Sequence, residues 1–370
     1  MTHADKLLFT PGPLTTSSTV KQAMLRDLGS RDAEFLAVVS SLRARLLELA
    51  AVAEPEYSAI PIQGSGTYGV EAALGTVVPR GGKLLVLCNG AYGDRLATIA
   101  RTIGIAHTRL AFPEDQPVDC AAAAAALDAD PELGHVAVVH CETSTGLLNP
   151  IAELAQLTGS RGRALIVDAM SSFGALPLAL GRLGIDVLIT SANKCLEGIP
   201  GCALVLARRA LIEAAAGNAR SLSLDLSAQL RGLDKDGQFR FTPPTHVLLA
   251  LVQALDELDA EGGIRGRGLR YSANQRTLLA GMQQLGFRTY LPATRLSPII
   301  TSFLMPTHPR WSFPQFYREL ATRGFVIYPG KVSQADCFRI GTIGRIQPEE
   351  IEILLAAIAE VLADMGVQLT

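Results

Sequence analysis

The chain has 370 residues, of which 48% are apolar and 18% are charged, so it can bury a large core and is too hydrophobic for intrinsic disorder. At roughly 150 residues per domain, this length favours two domains. Lysine and arginine total 33 against 35 aspartates and glutamates, without long runs of one sign, which argues against nucleic acid or an anionic membrane as a partner.

The cysteines and the N-terminal sequence indicate a soluble, cytoplasmic protein. The first residues lack a cationic start followed by an apolar run, and no stretch approaches the roughly 18 uninterrupted apolar residues of a membrane span. No CxxC pair and no histidine at metal-ligand spacing accompany the cysteines, which predicts reduced thiols and no metal site. The cysteines stand at positions 88, 120, 141, 195, 202 and 337.

Short apolar runs alternate with segments of helical periodicity over the first 245 residues. Because most of these runs are apolar throughout, both faces of the sheet should be covered, as in a mostly parallel sheet between helices. The predicted strands are 57–63, 84–88, 135–140, 164–169, 185–190 and 202–207. The predicted helices lie at 67–78, 93–104, 120–130 and 150–162.

The pattern changes after about residue 245, where a long apolar-periodic helix ends at a glycine pair. A smaller α+β domain is expected to follow. The predicted division is a large cofactor-binding domain over 15–250 and a small C-terminal domain over 251–370, joined by the N-terminal segment 1–14. The small domain should contain a helix at 262–286, strands near 298–304, 324–328 and 337–341, and a closing helix from about 347.

The first strand-to-helix junction is rich in glycine and predicts an anion site. Gly64, Gly66 and Gly69 satisfy GxGxxG, and a helix N-terminus presents unpaired N–H groups to anions. A dinucleotide site would also need an acidic residue at the end of the second strand, which instead ends LCNG. The pattern favours a single phosphate held by Ser65, Thr67 and the local amides, with purely conformational glycines as the alternative.

Two charged residues follow later strands. Asp168 stands at the carboxyl end of a buried strand, and Lys194 follows the next strand 26 residues later. Alone, the aspartate could cap a turn and the lysine could extend into solvent. Together with a phosphate turn, they supply what pyridoxal phosphate requires: a phosphate anchor, a partner for the pyridine nitrogen and an amine that forms a Schiff base.

These motifs resemble the class V branch of the fold-type I pyridoxal phosphate enzymes, and within it the 2-aminoethylphosphonate–pyruvate transaminases. The resemblance extends over nearly the whole chain. TPGP and GSGT are shared with relatives such as alanine–glyoxylate transaminase, whereas TSANKCLEGIPG and FVIYPGKVSQADCFRIGTIG are specific to this branch. It implies a fold-type I transferase with a mostly parallel sheet, a smaller α+β C-terminal domain and a homodimer that shares its active sites.

The resemblance also implies roles for individual residues around pyridoxal 5'-phosphate. Lys194 would hold the cofactor and then carry the proton, while Asp168 would keep the pyridine nitrogen protonated. Tyr92 would stack on the ring, and Thr145 would lie near its phenolic oxygen. The remaining cofactor contacts would be Ser65, Gly66, Thr67, Asn193 and, from the neighbouring subunit, Thr242.

For the substrate, the resemblance implies a site at Arg339 and Gly12. A guanidinium suits both the carboxylate of pyruvate and the phosphonate of 2-aminoethylphosphonate, which would occupy one site in alternate half-reactions. Seen alone, Arg339 could be a surface arginine on an edge strand. Arg31, where the family commonly has tryptophan, and Lys331 are the next candidate cations. The expected products are phosphonoacetaldehyde and L-alanine, in phosphonate degradation.

Other functions compete with this one. Within the same fold, the alternative is a transaminase of alanine or serine with glyoxylate or pyruvate. A cysteine desulfurase would need a thiol on a mobile loop, whereas Cys337 stands in a strand-like run beside Arg339. From other classes, GSGTYG alone would suit a nicotinamide dehydrogenase, and a non-enzymatic scaffold would bind no cofactor.

Overall fold

The structure is a computed structural model that describes residues 5–369. Its strands are Leu7–Leu8 (β1), Tyr57–Gln63 (β2), Lys83–Cys88 (β3), Ala106–Ala111 (β4), Leu133–Val139 (β5), Cys141–Glu142 (β6), Leu147–Leu148 (β7), Ala164–Asp168 (β8), Val187–Ser191 (β9), Cys202–Arg208 (β10), Ile300–Leu304 (β11), Phe325–Val326 (β12), Tyr328–Pro329 (β13) and Cys337–Gly341 (β14). Its helices are Ser18–Gln22 (α1), Ala33–Leu49 (α2), Gly66–Val77 (α3), Ala91–Thr102 (α4), Cys120–Ala129 (α5), Ile151–Gly159 (α6), Leu180–Leu183 (α7), Arg209–Ala214 (α8), Leu226–Asp236 (α9), Thr245–Ala260 (α10), Gly263–Gln284 (α11), Phe313–Thr322 (α12) and Pro348–Asp364 (α13), with a 3₁₀ turn at Ala293–Arg295.

The large sheet has the strand order β2-β10-β9-β8-β5-β3-β4. Strands β4, β3, β5, β8 and β9 pair in parallel, and β10 runs antiparallel to both of its neighbours, β9 and β2. Strand β9 is buried along its whole length, and β8 and β10 are buried except for one half-buried residue at an end, so neither face of these strands is exposed. The predicted mostly parallel sheet between helices is therefore confirmed.

One strand of this sheet escaped the sequence analysis. Strand β4, Ala106–Ala111, pairs only with β3 among the strands of the described chain and forms an edge of the sheet. Its residues are exposed or half-buried and include His107 and Arg109, so they make no continuous apolar run. An edge strand that is exposed to solvent on both faces lacks the continuous apolar run by which a buried central strand is predicted.

The C-terminal part forms a second layer around a small antiparallel sheet, β11-β14-β13. Its core is aromatic, with Phe338 stacked on Phe303 and in edge contact with Phe287 and Phe316. Strand β1 pairs in parallel with β12, so the N-terminal segment packs with this part of the chain. This small α+β unit was predicted, while the boundaries 15–250 and 251–370 stay a prediction. No helix within residues 5–369 is long and apolar enough to cross a membrane.

The topology brings several loops to one edge of the large sheet. Strands β2, β3, β8 and β9 all point in the same direction, since β2 and β9 are each antiparallel to β10. The β2–α3 turn, the start of α4, the end of β8 and the loop after β9 therefore meet at the carboxyl edge. Ligands of open α/β sheets bind in that position.

Candidate active site

A cavity of about 190 Å³ lies at this carboxyl edge. It brings together most of the residues that sequence and resemblance predicted for the cofactor, although these residues span 130 positions of the chain. They are Ser65, Gly66, Thr67, Tyr92, Asp168, Asn193 and Lys194.

The glycine-rich turn forms one wall of the cavity at the N-terminus of α3. Ser65 is the N-cap residue, yet within the described chain its side chain makes no capping hydrogen bond, so the hydroxyl and the first-turn amides remain open to a ligand. A Cβ atom on Gly66 would collide with the end of the Met170 side chain. Glycine at this position lets the turn lie against Met170 without displacing it, which fits a close backbone approach to an anion.

Asp168 ends β8 and is buried, with 7% of its surface exposed. Its Oδ1 accepts a hydrogen bond from the Met170 amide at 2.9 Å, so it does cap the following turn. Burial raises the pKa of this carboxyl to about 6, against the opposing effects of that hydrogen bond and of the Arg95 and Lys194 charges. No cation within residues 5–369 forms an ion pair with it, which leaves Asp168 able to pair with a ligand cation.

Lys194 lies in the loop after β9, and its ammonium turns inward. Nζ donates to the carbonyl oxygen of Pro11 at 2.6 Å. Burial lowers the pKa of the Lys194 amine, so the solvent-exposed alternative is wrong for this residue. A Cβ on Gly12 would come within 2.7 Å of Nζ, and the φ of +111° at this position also favours glycine. Gly12 therefore lies against the reactive amine.

A buried carboxylate that the sequence analysis missed positions Tyr92. Glu142 Oε2 accepts hydrogen bonds from the main-chain N–H groups of Tyr92 and Gly93, both at 3.1 Å, and Oε1 accepts one from the Ser144 hydroxyl at 2.7 Å. Burial raises the pKa of Glu142. The carboxylate satisfies the N-terminal amides of α4 and thereby fixes the tyrosine at the cavity.

Two further cavity residues were also missed. Arg95, one turn after Tyr92 on α4, lies over the tyrosine ring with Cζ 4.7 Å from the centroid, and its Nη1 donates to the Thr67 hydroxyl at 3.3 Å. Ser191 ends β9, and its buried Oγ has no partner among residues 5–369. The i, i+3 spacing of Tyr92 and Arg95 was the available signal for the first residue, whereas Ser191 carries no local signal.

Arg339 lies in β14, the central strand of the small sheet, and is 2% exposed, so the surface edge-strand alternative is wrong. Its Nε donates to the Pro329 carbonyl oxygen at 2.9 Å and its Nη1 to the Thr143 carbonyl oxygen at 2.7 Å. The second bond joins the small sheet to the loop that follows β6. Burial lowers the pKa of the guanidinium, and no carboxylate in the described part of the chain pairs with it. Such a buried cation has a strong need for an anionic partner.

Thr145 and Thr242, which were predicted as cofactor contacts, are not among the residues that line this cavity, and neither are Arg339 and Gly12, which were predicted for the substrate. The Thr145 hydroxyl is buried and donates to the carbonyl oxygen of Glu142 at 3.3 Å, within its own turn. Thr242 borders a separate cavity of about 530 Å³, next to the exposed rings of Tyr68 and Phe241. A side chain supplied by a neighbouring subunit would lie outside the cavity of its own chain, so the role of Thr242 stays a prediction.

The chain belongs to the class V aminotransferase family. The family profile, described as Aminotransferase class-V, matches residues 16–320. The resemblance noted in the sequence is thereby confirmed, and the chain is an aminotransferase.

Among curated proteins, the chain is similar to 2-aminoethylphosphonate–pyruvate transaminases. It is 52% identical to the one from Syntrophobacter fumaroxidans over 97% of each chain. It is 49% identical to the one from Rhizobium meliloti over 98% of this chain and 95% of the relative, and 53% identical to the one from Aeromonas hydrophila over 96% and 94%.

Solved structures show the same fold at lower identity. The ureidoglycine–glyoxylate aminotransferase from Bacillus subtilis superposes with a TM-score of 0.91 at 23% identity, covering 100% of this chain and 96% of that one. The pyridoxamine–pyruvate aminotransferase from Mesorhizobium loti gives 0.90 at 24% identity, covering 100% and 95%.

Proposed function

We propose that this chain transfers the amino group of 2-aminoethylphosphonate to pyruvate, giving phosphonoacetaldehyde and L-alanine, in phosphonate degradation. The observation that carries the proposal is a set of charges without ion-pair partners in the described chain. Lys194 and Asp168 line one cavity, and Arg339 donates to Thr143, two residues after Cys141, which lines the same cavity. The names of relatives about 50% identical over nearly the full chain support the two substrates.

The cavity residues fit pyridoxal 5'-phosphate. Ser65, Gly66 and Thr67 offer open donors to a phosphate, and Asp168 would hold the protonated ring nitrogen. The orphaned Oγ of Ser191 would gain a partner. When bound, the cofactor supplies a carbonyl that takes up amino groups and a ring that accepts electrons.

The amine of Lys194 performs the proton transfer in this proposal. Because burial lowers its pKa, a larger share of the amine is neutral than for a lysine in water, and neutral Nζ can take a proton from the amino-bearing carbon of the substrate. The Pro11 carbonyl accepts a hydrogen bond from Nζ, and Gly12 leaves the space in which Nζ moves. The aspartate stays ionised once a ligand cation adjoins it, although burial alone raises its pKa.

Arg339 would bind the anionic end of each substrate in turn. The guanidinium is held by two main-chain oxygens, so its orientation does not depend on the substrate. A preorganised cation can accept a phosphonate in one half-reaction and a carboxylate in the next.

The assembly and the compartment are also part of the proposal. A homodimer is supported by the exposed side chains of Tyr68 and Phe241 at the cavity that Thr242 borders, because exposed aromatic groups clustered at a concave surface are typical of interfaces. The free cysteines support a cytoplasmic location.

The direct test supplies 2-aminoethylphosphonate and pyruvate to the purified protein and measures alanine and phosphonoacetaldehyde. We expect both products in equal amounts, and none from Lys194→Ala. Alanine or serine with glyoxylate serves as the competing pair. If that pair reacts faster, the alternative transaminase is correct; if no amine reacts, the proposed function is wrong.

A further inference from the structure

We infer that Lys331 is a second substrate-binding cation, which recognises the additional negative charge that a phosphonate carries and a carboxylate lacks. This inference rests on the proposed function, since it concerns how one site accepts both anions. It assigns Lys331 to substrate discrimination rather than to chemistry.

Lys331 lies in the hairpin loop 330–336, between β13 and β14. Its Nζ is 4.3 Å from the centre of the Tyr92 ring, and Tyr92 lines the cavity. A lysine on an exposed loop ordinarily extends into water, where its ammonium is best hydrated. This one instead lies over the ring of a cavity residue, although no carboxylate among residues 5–369 forms an ion pair with it.

The loop itself is attached to the opposite side of the site. The N–H and Oγ of Ser333 both donate to Oε2 of Glu114, at 2.8 and 2.9 Å. Glu114 follows β4 of the large sheet, so this contact joins the small sheet to the large one. The contact, which we call the Ser333–Glu114 latch, keeps Lys331 over the tyrosine.

The charges of Lys331 and Arg339 act at the same place. Burial would raise the pKa of the Tyr92 phenol, but a hydrogen bond with Thr143 and nearby positive charges lower it below its ordinary value. Lys331, Lys194 and Arg339 are those charges. The phenol therefore marks a point where the fields of a buried arginine and a loop lysine overlap.

The two substrates differ in the charge that this site must neutralise. A phosphoryl group carries up to about two negative charges near neutral pH, whereas a carboxylate carries one. Arg339 alone can balance the carboxylate. The phosphonate needs a further cation, and the flexible ammonium of Lys331 beside Tyr92 can supply it without the fixed geometry of a guanidinium.

The test separates the two half-reactions and also measures binding without chemistry. Lys331→Met is compared with wild type by single-turnover absorbance with 2-aminoethylphosphonate alone and, after conversion to the aminated form, with pyruvate alone. Binding of ethylphosphonate and of propionate to the cofactor-loaded enzyme is measured by calorimetry. Lys235→Met, which removes an exposed lysine in the last turn of α9, is the matched control.

For Lys331→Met we expect kcat/KM of the phosphonate half-reaction to fall about tenfold or more, and that of the pyruvate half-reaction to fall less than about threefold. Ethylphosphonate affinity should fall in parallel, propionate affinity should not, and Lys331→Arg should restore most of the loss. Glu114→Ala should weaken phosphonate binding in the same direction, and Glu114→Gln, whose amide oxygen still accepts from Ser333, should weaken it less.

Equal losses in both half-reactions, or no loss in either, would overturn the inference. If wild type fails to convert 2-aminoethylphosphonate but binds ethylphosphonate through Lys331, the proposed function is wrong and the inference stands. If wild type binds neither anion, or Lys331→Met leaves the ratio of the two affinities unchanged, Lys331 does not discriminate between them.

Discussion

Two groups of charged side chains lie near the loop that carries Lys194, and they differ in whether the fold pairs them. In the first group, Glu197 accepts hydrogen bonds from Arg270 at 2.7 Å and from Tyr271. Arg267 donates to the Cys195 carbonyl oxygen at 2.9 Å and pairs with Glu261 at 3.0 Å. The second group consists of Asp168 and Arg339, which are buried, and Lys194, which is half-buried; none of the three has an ion-pair partner in the described chain.

The pKa values of two buried arginines differ between the paired and the unpaired group. Burial by itself lowers the pKa of any arginine, yet the charges of Glu197 and Glu261 more than reverse this effect at Arg267, so the pKa is raised. At Arg339 the pKa is lowered. The chain thus neutralises the buried charges around Glu197 and leaves Asp168, Lys194 and Arg339 without an ion-pair partner among the described residues. Buried charges without a partner reduce the stability of the fold. Their presence therefore indicates that a bound ligand neutralises them.

Removal of the cavity amine should have the largest effect. We expect Lys194→Ala to lose transamination below detection, because it removes both the attachment point of the cofactor and the proton carrier. The ligand-free fold should persist, since the lysine has no ion-pair partner within the described chain. Product assays together with thermal unfolding check both statements, and Lys235→Ala is the control. Near-normal turnover would contradict the role of Lys194.

Asp168→Asn should have the second-largest effect on activity. We expect a loss of several orders of magnitude in rate with the cofactor still bound, because the amide cannot hold the ring nitrogen protonated while the phosphate turn is unchanged. Absorbance of the bound cofactor and single-turnover rates measure the two effects separately. A variant within about threefold of wild type would return Asp168 to a turn-capping role.

Substitution in the paired group, which contains Glu197, Arg267 and Arg270, should lower the stability of the fold. Glu197→Ala removes one of the two carboxylates that pair with the buried Arg267 and Arg270 and leaves only Glu261, and we expect the free energy of unfolding to fall by about 3–5 kcal/mol. Denaturant unfolding measures it. Asp128→Ala, which breaks an exposed pair with Arg161, is the control and should stay close to wild type. A small effect at Glu197 would remove the contrast between the two groups of charges.

Arg339 should affect activity more than stability. Arg339→Ala is expected to slow both half-reactions by a factor equivalent to about 2–5 kcal/mol, because it removes the buried partner of each substrate anion. Arg339→Lys keeps the charge but loses the planar donor geometry, so a loss of roughly 1–3 kcal/mol should remain. Single-turnover rates with each substrate measure this. Loss in the pyruvate half alone would mean that another cation holds the phosphonate.

The sequence predicted the parts of the fold that rest on local patterns. Strands β2 and β14 have the predicted bounds, 57–63 and 337–341, because buried strands appear as apolar runs. Asp168 and Lys194 were found because a position at a strand end is visible in one dimension, and parallel topology then brings such ends together.

Contacts between residues that are far apart in the sequence could not be predicted from local patterns. Glu142 caps α4 from a strand about 50 residues away, and nothing near either segment indicates the contact. The network of Glu197, Arg267 and Arg270 joins the Lys194 loop to α11, and each residue alone reads as an ordinary surface charge. Pairing across the fold decides which charges are satisfied, and therefore which remain for a ligand.

The most direct test of this account is the pH dependence of unfolding of the ligand-free protein, compared with that of ligand-free Asp168→Asn. Because the pKa of Asp168 is about 6 in the fold and 3.8 in the reference state, the folded chain binds more protons between these values, and stability must fall as the pH rises through that window.

Asparagine has no such proton. The variant should therefore match wild type below about pH 4 and become more stable above about pH 6, by up to roughly 3 kcal/mol. Bound cofactor should remove or reverse the difference. If ligand-free Asp168→Asn is less stable than wild type at pH 8, the aspartate is satisfied by the fold itself and the account of unpaired cavity charges is contradicted.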